Sequence, residues 1–166
     1  LEIGTYWGTS CLRVAHALGN VPITTLELDP VHVAIARVLL AFAGVAVKVC
    51  TGHSQLLLPR FRGAFAAVLM DRWGSEYEED LELLHRHNLL KSPGAVLVAD
   101  NVLSTAAVGL LWRTGRGQVH GGDGLQYTSQ MVAVQEVVDK SEDWVSISVG
   151  GANSVSVAPL PEPLME

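Results

Sequence analysis

Four carboxylates close apolar runs in this chain. Glu2 follows Leu1, Glu27 ends Pro22–Glu27, Asp71 ends AFAAVLMD, and Asp100 ends PGAVLVAD. An apolar strand gains nothing from a carboxylate at its end unless something binds it there. Taken one at a time, each could cap a helix or face solvent. Four acids in the same place in successive units point to a ligand site.

The first two acids belong with glycines. Gly4 and Gly8 let the backbone turn sharply and approach a ligand closely. Glu27 lies 23 residues after Gly4, at the end of the next strand, where an acid reaches a ribose diol. Tyr6 stands where a dinucleotide fingerprint has its second glycine, the one that admits a pyrophosphate. The pattern therefore favours a nucleoside ligand without phosphates, and S-adenosylmethionine (SAM) is such a ligand. Its ribose would pair with Glu27. Its amino-acid end would lie near Glu2, Gly4, Tyr6 and Ser10. The GHSQ segment, Gly52, His53, Ser54 and Gln55, would give small and polar contacts to adenine. Trp73 offers an apolar face to the same base, or packs as an ordinary aromatic.

The other two acids make a second constellation. Asp71, Asp100 and the following Asn101 give two carboxylates and an amide oxygen. Such a hard oxygen set suits Mg²⁺, with its other positions left to water or substrate oxygens. On its own, Asp100–Asn101 would equally start a turn.

Positioning these groups requires a particular order of elements. Leu1–Ile3 reads as the tail of a strand, Thr9–Leu18 as a helix stopped by Gly19, and Pro22–Glu27 as strand two. Pro30 suits the first turn of a helix to Phe42, ended by Gly44. Val45–Thr51 is strand three, and Ser54–Pro59 a short helix. Ala64–Asp71 reads as a strand buried on both faces. Glu78–Leu90 is a helix with acids early and His and Arg late. Pro93–Asp100 is strand five, and Ser104–Arg113 is helical. Gly115–Gly124 is a loop. Met131–Val138 and Trp144–Val149 are strands, and their connection Asp139–Asp143 is too short for a crossover, so they form a hairpin. The fold class is α/β: a Rossmann-like, mostly parallel doubly wound sheet ending in an antiparallel hairpin. One domain spans residues 1–158, and 159–166 are a tail.

Composition excludes several classes of function. The 166 residues carry a net charge of −6, which argues against a nucleic-acid surface. With 49% hydrophobic and 17% charged residues, the chain reads as globular. No apolar run is long enough to span a membrane. Cys11 and Cys50 lack CxxC spacing and read as buried, reduced thiols, which favours a cytoplasmic setting. A monomer is expected. A start at Leu1, inside a strand, suggests a missing N-terminus. His85 and His87, two apart on one helix, read as surface histidines rather than a metal pair.

Together these segments resemble the catechol O-methyltransferase family. LEIGTYWGTS is similar to its first cofactor motif through Glu2, Gly4, Tyr6, Gly8 and Ser10. LELDP, with Glu27 and Leu28, and then AFAGV resemble its ribose-binding strand and helix. GHSQ resembles its adenine-side loop, and MDRW and ADNV resemble its metal-bearing segments. The resemblance covers Leu1 to about Gly150. It implies SAM and Mg²⁺ as cofactors, Asp71, Asp100 and Asn101 as metal ligands, and a catechol-type small-molecule acceptor. It also puts Asp71, Arg72 and Trp73 at the cofactor and Asn101 and Gly74 at the acceptor, with Asp71 and Asn101 central to catalysis. It further implies N-terminal helices that this chain lacks, so exposed apolar surface and poor solubility are expected.

Two departures stand out. The family's general-base lysine is Gly74 here, and its strand-six glutamate aligns with Ala133. Arg72 replaces a histidine beside the adenine. Gly74 and Ala133 are expected to enlarge the pocket, with Glu76 or His120 as replacement bases. Two readings follow from these losses: a methyltransferase slowed by the missing base, or a binding or regulatory protein that keeps cofactor and metal. An NAD-dependent dehydrogenase is a third, opposed by Tyr6 and the terminal hairpin.

Overall fold

The Asp29–Pro30 pair shows how local chemistry sets the elements. The Asp29 carboxylate accepts from the Val31 and His32 amides at 2.7 and 3.4 Å, and Pro30 occupies the first helical turn, where no amide is needed. The helix that follows runs Pro30–Phe42. The computed structural model describes residues 1–19, 21–115, 125–136 and 140–154. It divides into two compact units, Leu1–Phe61 and Arg62–Glu166.

The first unit holds β1 (Glu2–Ile3), α1 (Thr9–Leu18), β2 (Ile23–Glu27), α2 (Pro30–Phe42), β3 (Val47–Thr51) and α3 (Ser54–Leu57). Its strands are parallel in the order β3-β2-β1, with Glu2 opposite Thr25 and Glu27 opposite Thr51. Cys11, Ala36 and Leu40 form a buried cluster against Leu12, Ile23, Val45, Val47 and Val49. Gly8 caps α1 at φ 81°, and a Cβ there would press on Leu40 and Ala36 at 3.3 and 3.4 Å.

The second unit holds β4 (Ala67–Met70), a 3₁₀ turn (Gly74–Glu76), α4 (Tyr77–Arg86), β5 (Val96–Ala99), α5 (Val108–Gly115), β6 (Leu125–Gln135) and β7 (Glu142–Ser154). Its strand order is β4-β5-β7-β6; β4 and β5 are parallel, and β7 is antiparallel to both neighbours. The expected parallel strands and closing antiparallel hairpin are both present. No helix is long and apolar enough to cross a membrane among the described residues.

Several expectations change. The Ala64–Asp71 segment is not buried on both faces: Val68 and Met70 are buried, Leu69 is half-buried and Ala67 exposed. The hairpin strands are longer than expected, and Glu142 and Asp143 lie inside β7 rather than in the connection. The helix expected from Ser104 begins at Val108. The reason is that the Asp143 carboxylate takes the Leu103 and Ser104 amides at 3.0 and 3.2 Å, holding them in a turn. Cys11 is buried but Cys50, on β3, is only half-buried, and both are free thiols. His85 is not a surface histidine; it is half-buried and bonded to the Tyr127 hydroxyl at 2.8 Å. The tail 159–166, most of the Gly115–Gly124 loop and residues 137–139 lie outside the described residues.

Candidate functional site

In the first unit the site is built around two carboxylates. Glu2 is 3% exposed. Its oxygens accept from the Ser10 hydroxyl, the Cys11 thiol at 2.6 Å and the Thr25 hydroxyl at 2.6 Å. These donors come from α1 and β2, so one carboxylate ties strand, loop and helix together. Burial, reinforced by the Glu2 charge, pushes the Cys11 thiol far up, so it stays a protonated donor. Glu27 stands at the carboxyl end of β2. It accepts from the Thr5 and Tyr6 amides at 3.2 and 2.7 Å and from the Asp29 amide at 2.9 Å.

That anchorage holds Tyr6 at φ 48°, 55% exposed, stacked on Trp7 at 4.8 Å and edge-on to His32 at 4.6 Å. Leu28, the residue after Glu27, is exposed. In the GHSQ segment the Gly52 amide bonds the Glu27 carbonyl at 2.8 Å, and His53 caps α3 by accepting from the Gln55 amide at 3.4 Å. Ser54 is buried, while Gly52, His53 and Gln55 are half-buried.

In the second unit Asp71 and Asp100 directly follow Met70 and Ala99, which are register partners on parallel strands. The two acids therefore stand side by side, and the Asp100 amide bonds the Met70 carbonyl at 2.9 Å. Beneath them the buried Tyr77 hydroxyl bonds the Arg72 carbonyl at 2.9 Å and the Asp100 carbonyl at 3.1 Å. Burial, with the charges of Asp71 and Asp100, keeps that phenol protonated. Asn101 turns at φ 54°, and its side-chain nitrogen donates to Glu136 at 3.1 Å and Asp143 at 3.2 Å.

Asp143 is fully buried and accepts further bonds from the Ser104 hydroxyl and the Trp144 amide, the latter at 2.7 Å. Burial alone would raise its pKa. The bonds from Ser104, Trp144 and Asn101 more than offset burial and hold it at about 2.

The Arg72 guanidinium pairs with the fully buried Asp80 at 2.7 Å and with Glu76, so Glu76 is ion-paired. Gly74 does not enlarge a pocket, because a Cβ there would fall 2.1 Å from the Thr105 hydroxyl and 3.0 Å from Ala107. Thr105, whose hydroxyl donates to the Asn101 carbonyl at 2.5 Å, fills that space. Trp73 is 74% exposed. Ala133 is exposed, opposite Trp144 in the hairpin register. His120 lies outside the described residues.

Glu136, Asp143, Thr105 and Tyr77 were not found from sequence. The acidic DKSED stretch was the one available signal for Asp143, and it read as a connection.

The donor set fits a hard divalent cation: two adjacent carboxylates, and an amide whose nitrogen is engaged elsewhere. No group of three His, Cys, Asp or Glu is arranged to hold a metal among the described residues, so the Asn101 amide would have to be the third ligand.

No family model matches the chain. Over 152 residues it is 33% identical to the catechol O-methyltransferase of Sus scrofa, covering 84% of this chain and 81% of that protein. Over 111 residues it is 38% identical to catechol O-methyltransferase B of Danio rerio, covering 62% of this chain but only 42% of that protein. Among solved structures, the O-methyltransferase of Streptomyces achromogenes involved in tomaymycin synthesis, in complex with SAM, has a TM-score of 0.72 at 25% identity. That match covers 90% of this chain and 71% of the other, and the Rossmann-like fold is shared.

Proposed function

The chain belongs to the catechol O-methyltransferase family, and on that premise we propose that it transfers a methyl group from SAM to a hydroxyl of a catechol-type small molecule held on Mg²⁺. The observation that carries the proposal is the pairing of Asp71 with Asp100 at neighbouring strand ends, followed directly by Asn101. SAM, when bound, supplies an electrophilic methyl, and Mg²⁺ lowers the pKa of a coordinated hydroxyl.

The chain's residues do the rest. Glu27 would meet the ribose, and the Tyr6 turn it anchors would meet the methionine end. Leu28 and the Gly52–Gln55 segment would line the base. Glu2, buried and saturated by three donors, would act by fixing the shape of this loop. Asp71, Asp100 and Asn101 would hold the cation and orient the acceptor. A C–O bond forms as the methyl–sulfur bond breaks, and the hydroxyl proton passes to water.

One observation favours a second reading. Thr105 fills the space at Gly74, so no side chain fits where the family places its base. A chain without that base could keep cofactor and metal as a binding or regulatory protein. Labelled SAM with a simple catechol, assayed on the full-length protein in Mg²⁺ and then in EDTA, separates the two. Transfer abolished by EDTA supports the enzyme. SAM binding without transfer to any hydroxylated acceptor supports the binding protein.

A further inference from the structure

Asn101 is the least constrained kind of metal ligand, because its amide can present either oxygen or nitrogen. A carboxylate presents an acceptor either way round. In this chain the ambiguity is removed from the far side. The Asn101 nitrogen lies 3.1 Å from a Glu136 oxygen and 3.2 Å from an Asp143 oxygen. An ionised carboxylate only accepts, so it can face the NH₂ and not the carbonyl. Asp143 already accepts from three backbone amides and a hydroxyl, so it meets the Asn101 amide as an acceptor too. It is also immobile, with the Leu103, Ser104 and Trp144 amides on one oxygen and the Ser104 hydroxyl on the other. An amide has two N–H hydrogens, and two acceptors use both. Its planar geometry then sends the oxygen away from β7.

We propose that Glu136 and Asp143 are positioning residues: together they clamp the Asn101 amide nitrogen and so fix its oxygen as the outward-facing acceptor that a divalent cation takes. The purpose of the clamp rests on the Mg²⁺ reading above; the clamp itself does not. It also implies that aspartate at 101 would be unfavourable. A carboxylate there would set an oxygen against two other carboxylates, a like-charge contact.

The test has one readout without metal and one with it. In the metal-free full-length protein, the Asn101 side-chain NH₂ protons should exchange slowly. Glu136→Gln should speed that exchange while melting temperature and SAM binding stay near those of the unaltered chain. Fast exchange in the unaltered protein, or no response to Glu136→Gln, overturns the clamp. With Mn²⁺ as probe, read by electron paramagnetic resonance, Glu136→Gln should weaken binding by about tenfold, the lower end for residues that orient a ligand.

Asn101→Asp adds a negative charge to the ligand set and would ordinarily tighten metal binding. Here it should weaken it by a similar factor. The double variant Asn101→Asp with Glu136→Gln should recover most of the loss, because the introduced glutamine can donate to the new carboxylate. Tighter Mn²⁺ binding by Asn101→Asp alone would overturn the proposal. If the unaltered chain binds no Mn²⁺, the metal reading falls and the exchange experiment alone decides the clamp.

Discussion

Each unit of this protein buries a carboxylate held by hydroxyl, thiol or amide donors, and the two are satisfied from very different distances along the chain. Glu2 takes its donors from Ser10, Cys11 and Thr25, 8, 9 and 23 residues away. Asp143 takes Leu103, Ser104 and Asn101, 40, 39 and 42 residues away. The physics is the same: hydroxyl, thiol or amide donors replace water around a buried anion. The origin differs. The first network is written in one contiguous motif and its neighbouring strand. The second exists only once β7 has paired beside β5 and brought its first residues to the turn after Asn101. The cofactor half can therefore be recognised from a few residues in a row, while the acceptor half has to be assembled.

The sharpest way to break this comparison is to remove the assembled carboxylate. Asp143→Ala strips the acceptor from three amides, a hydroxyl and the Asn101 side chain. The expected cost is roughly 3 kcal/mol or more in urea unfolding, given what each buried charged hydrogen bond contributes. It should also abolish divalent-cation binding. A cost under about 1 kcal/mol would show that the turn at 101–106 holds itself. Glu2→Gln should cost less, roughly 1–3 kcal/mol. The Ser10 and Thr25 hydroxyls can rotate to meet the new amide, whereas the backbone amides around Asp143 cannot. If Glu2→Gln proved the costlier change, donor mobility would not be what separates the two networks.

The legibility of the sequence follows the same division. Glu27, Gly8, Asp29 and Pro30 all sit where their local chemistry puts them, because turns and caps need only near neighbours. The pairing of Asp71 with Asp100 was also readable, since each ends an apolar strand of a parallel pair. The partner of Arg72 was not readable, because Asp80 lies in the first turn of α4 beside Glu78 and Glu79 and nothing in the sequence singles it out. Gly74 was misread for the opposite reason. An absent side chain says nothing about what fills its space, and only the fold shows Thr105 there.

Gly74 supplies the next test, within the second unit alone. Gly74→Ala puts a methyl 2.1 Å from the Thr105 hydroxyl and should destabilise by about 1–3 kcal/mol. Thr105→Ala in the same chain should recover a large part of that. Gly74→Lys should fail to raise methyl transfer unless Thr105 is cut back as well. A faster Gly74→Lys single variant would mean that Thr105 yields easily and that the lost base is only a missing amine.

The smallest expected effect concerns His85, whose bond to the Tyr127 hydroxyl is another contact across 42 residues in the second unit. Burial, and then the nearby charge of Arg113, push the His85 pKa below its usual value. The unfolded chain therefore binds this proton more readily than the folded one. His85 is neutral in the folded state at pH 8, and its stabilising contribution is complete above about 6.5, the ordinary value for histidine. It drains away as pH falls below that, because the unfolded state gains the proton first. Asp143, held at about 2, stays ionised throughout this range and adds no slope. Melting temperature should therefore decline from pH 8 to pH 5, and His85→Gln, which can still accept from the Tyr127 hydroxyl, should flatten part of the decline. An unchanged slope in His85→Gln would place the acid sensitivity elsewhere and leave the long-range polar pairs of this unit to the carboxylates alone.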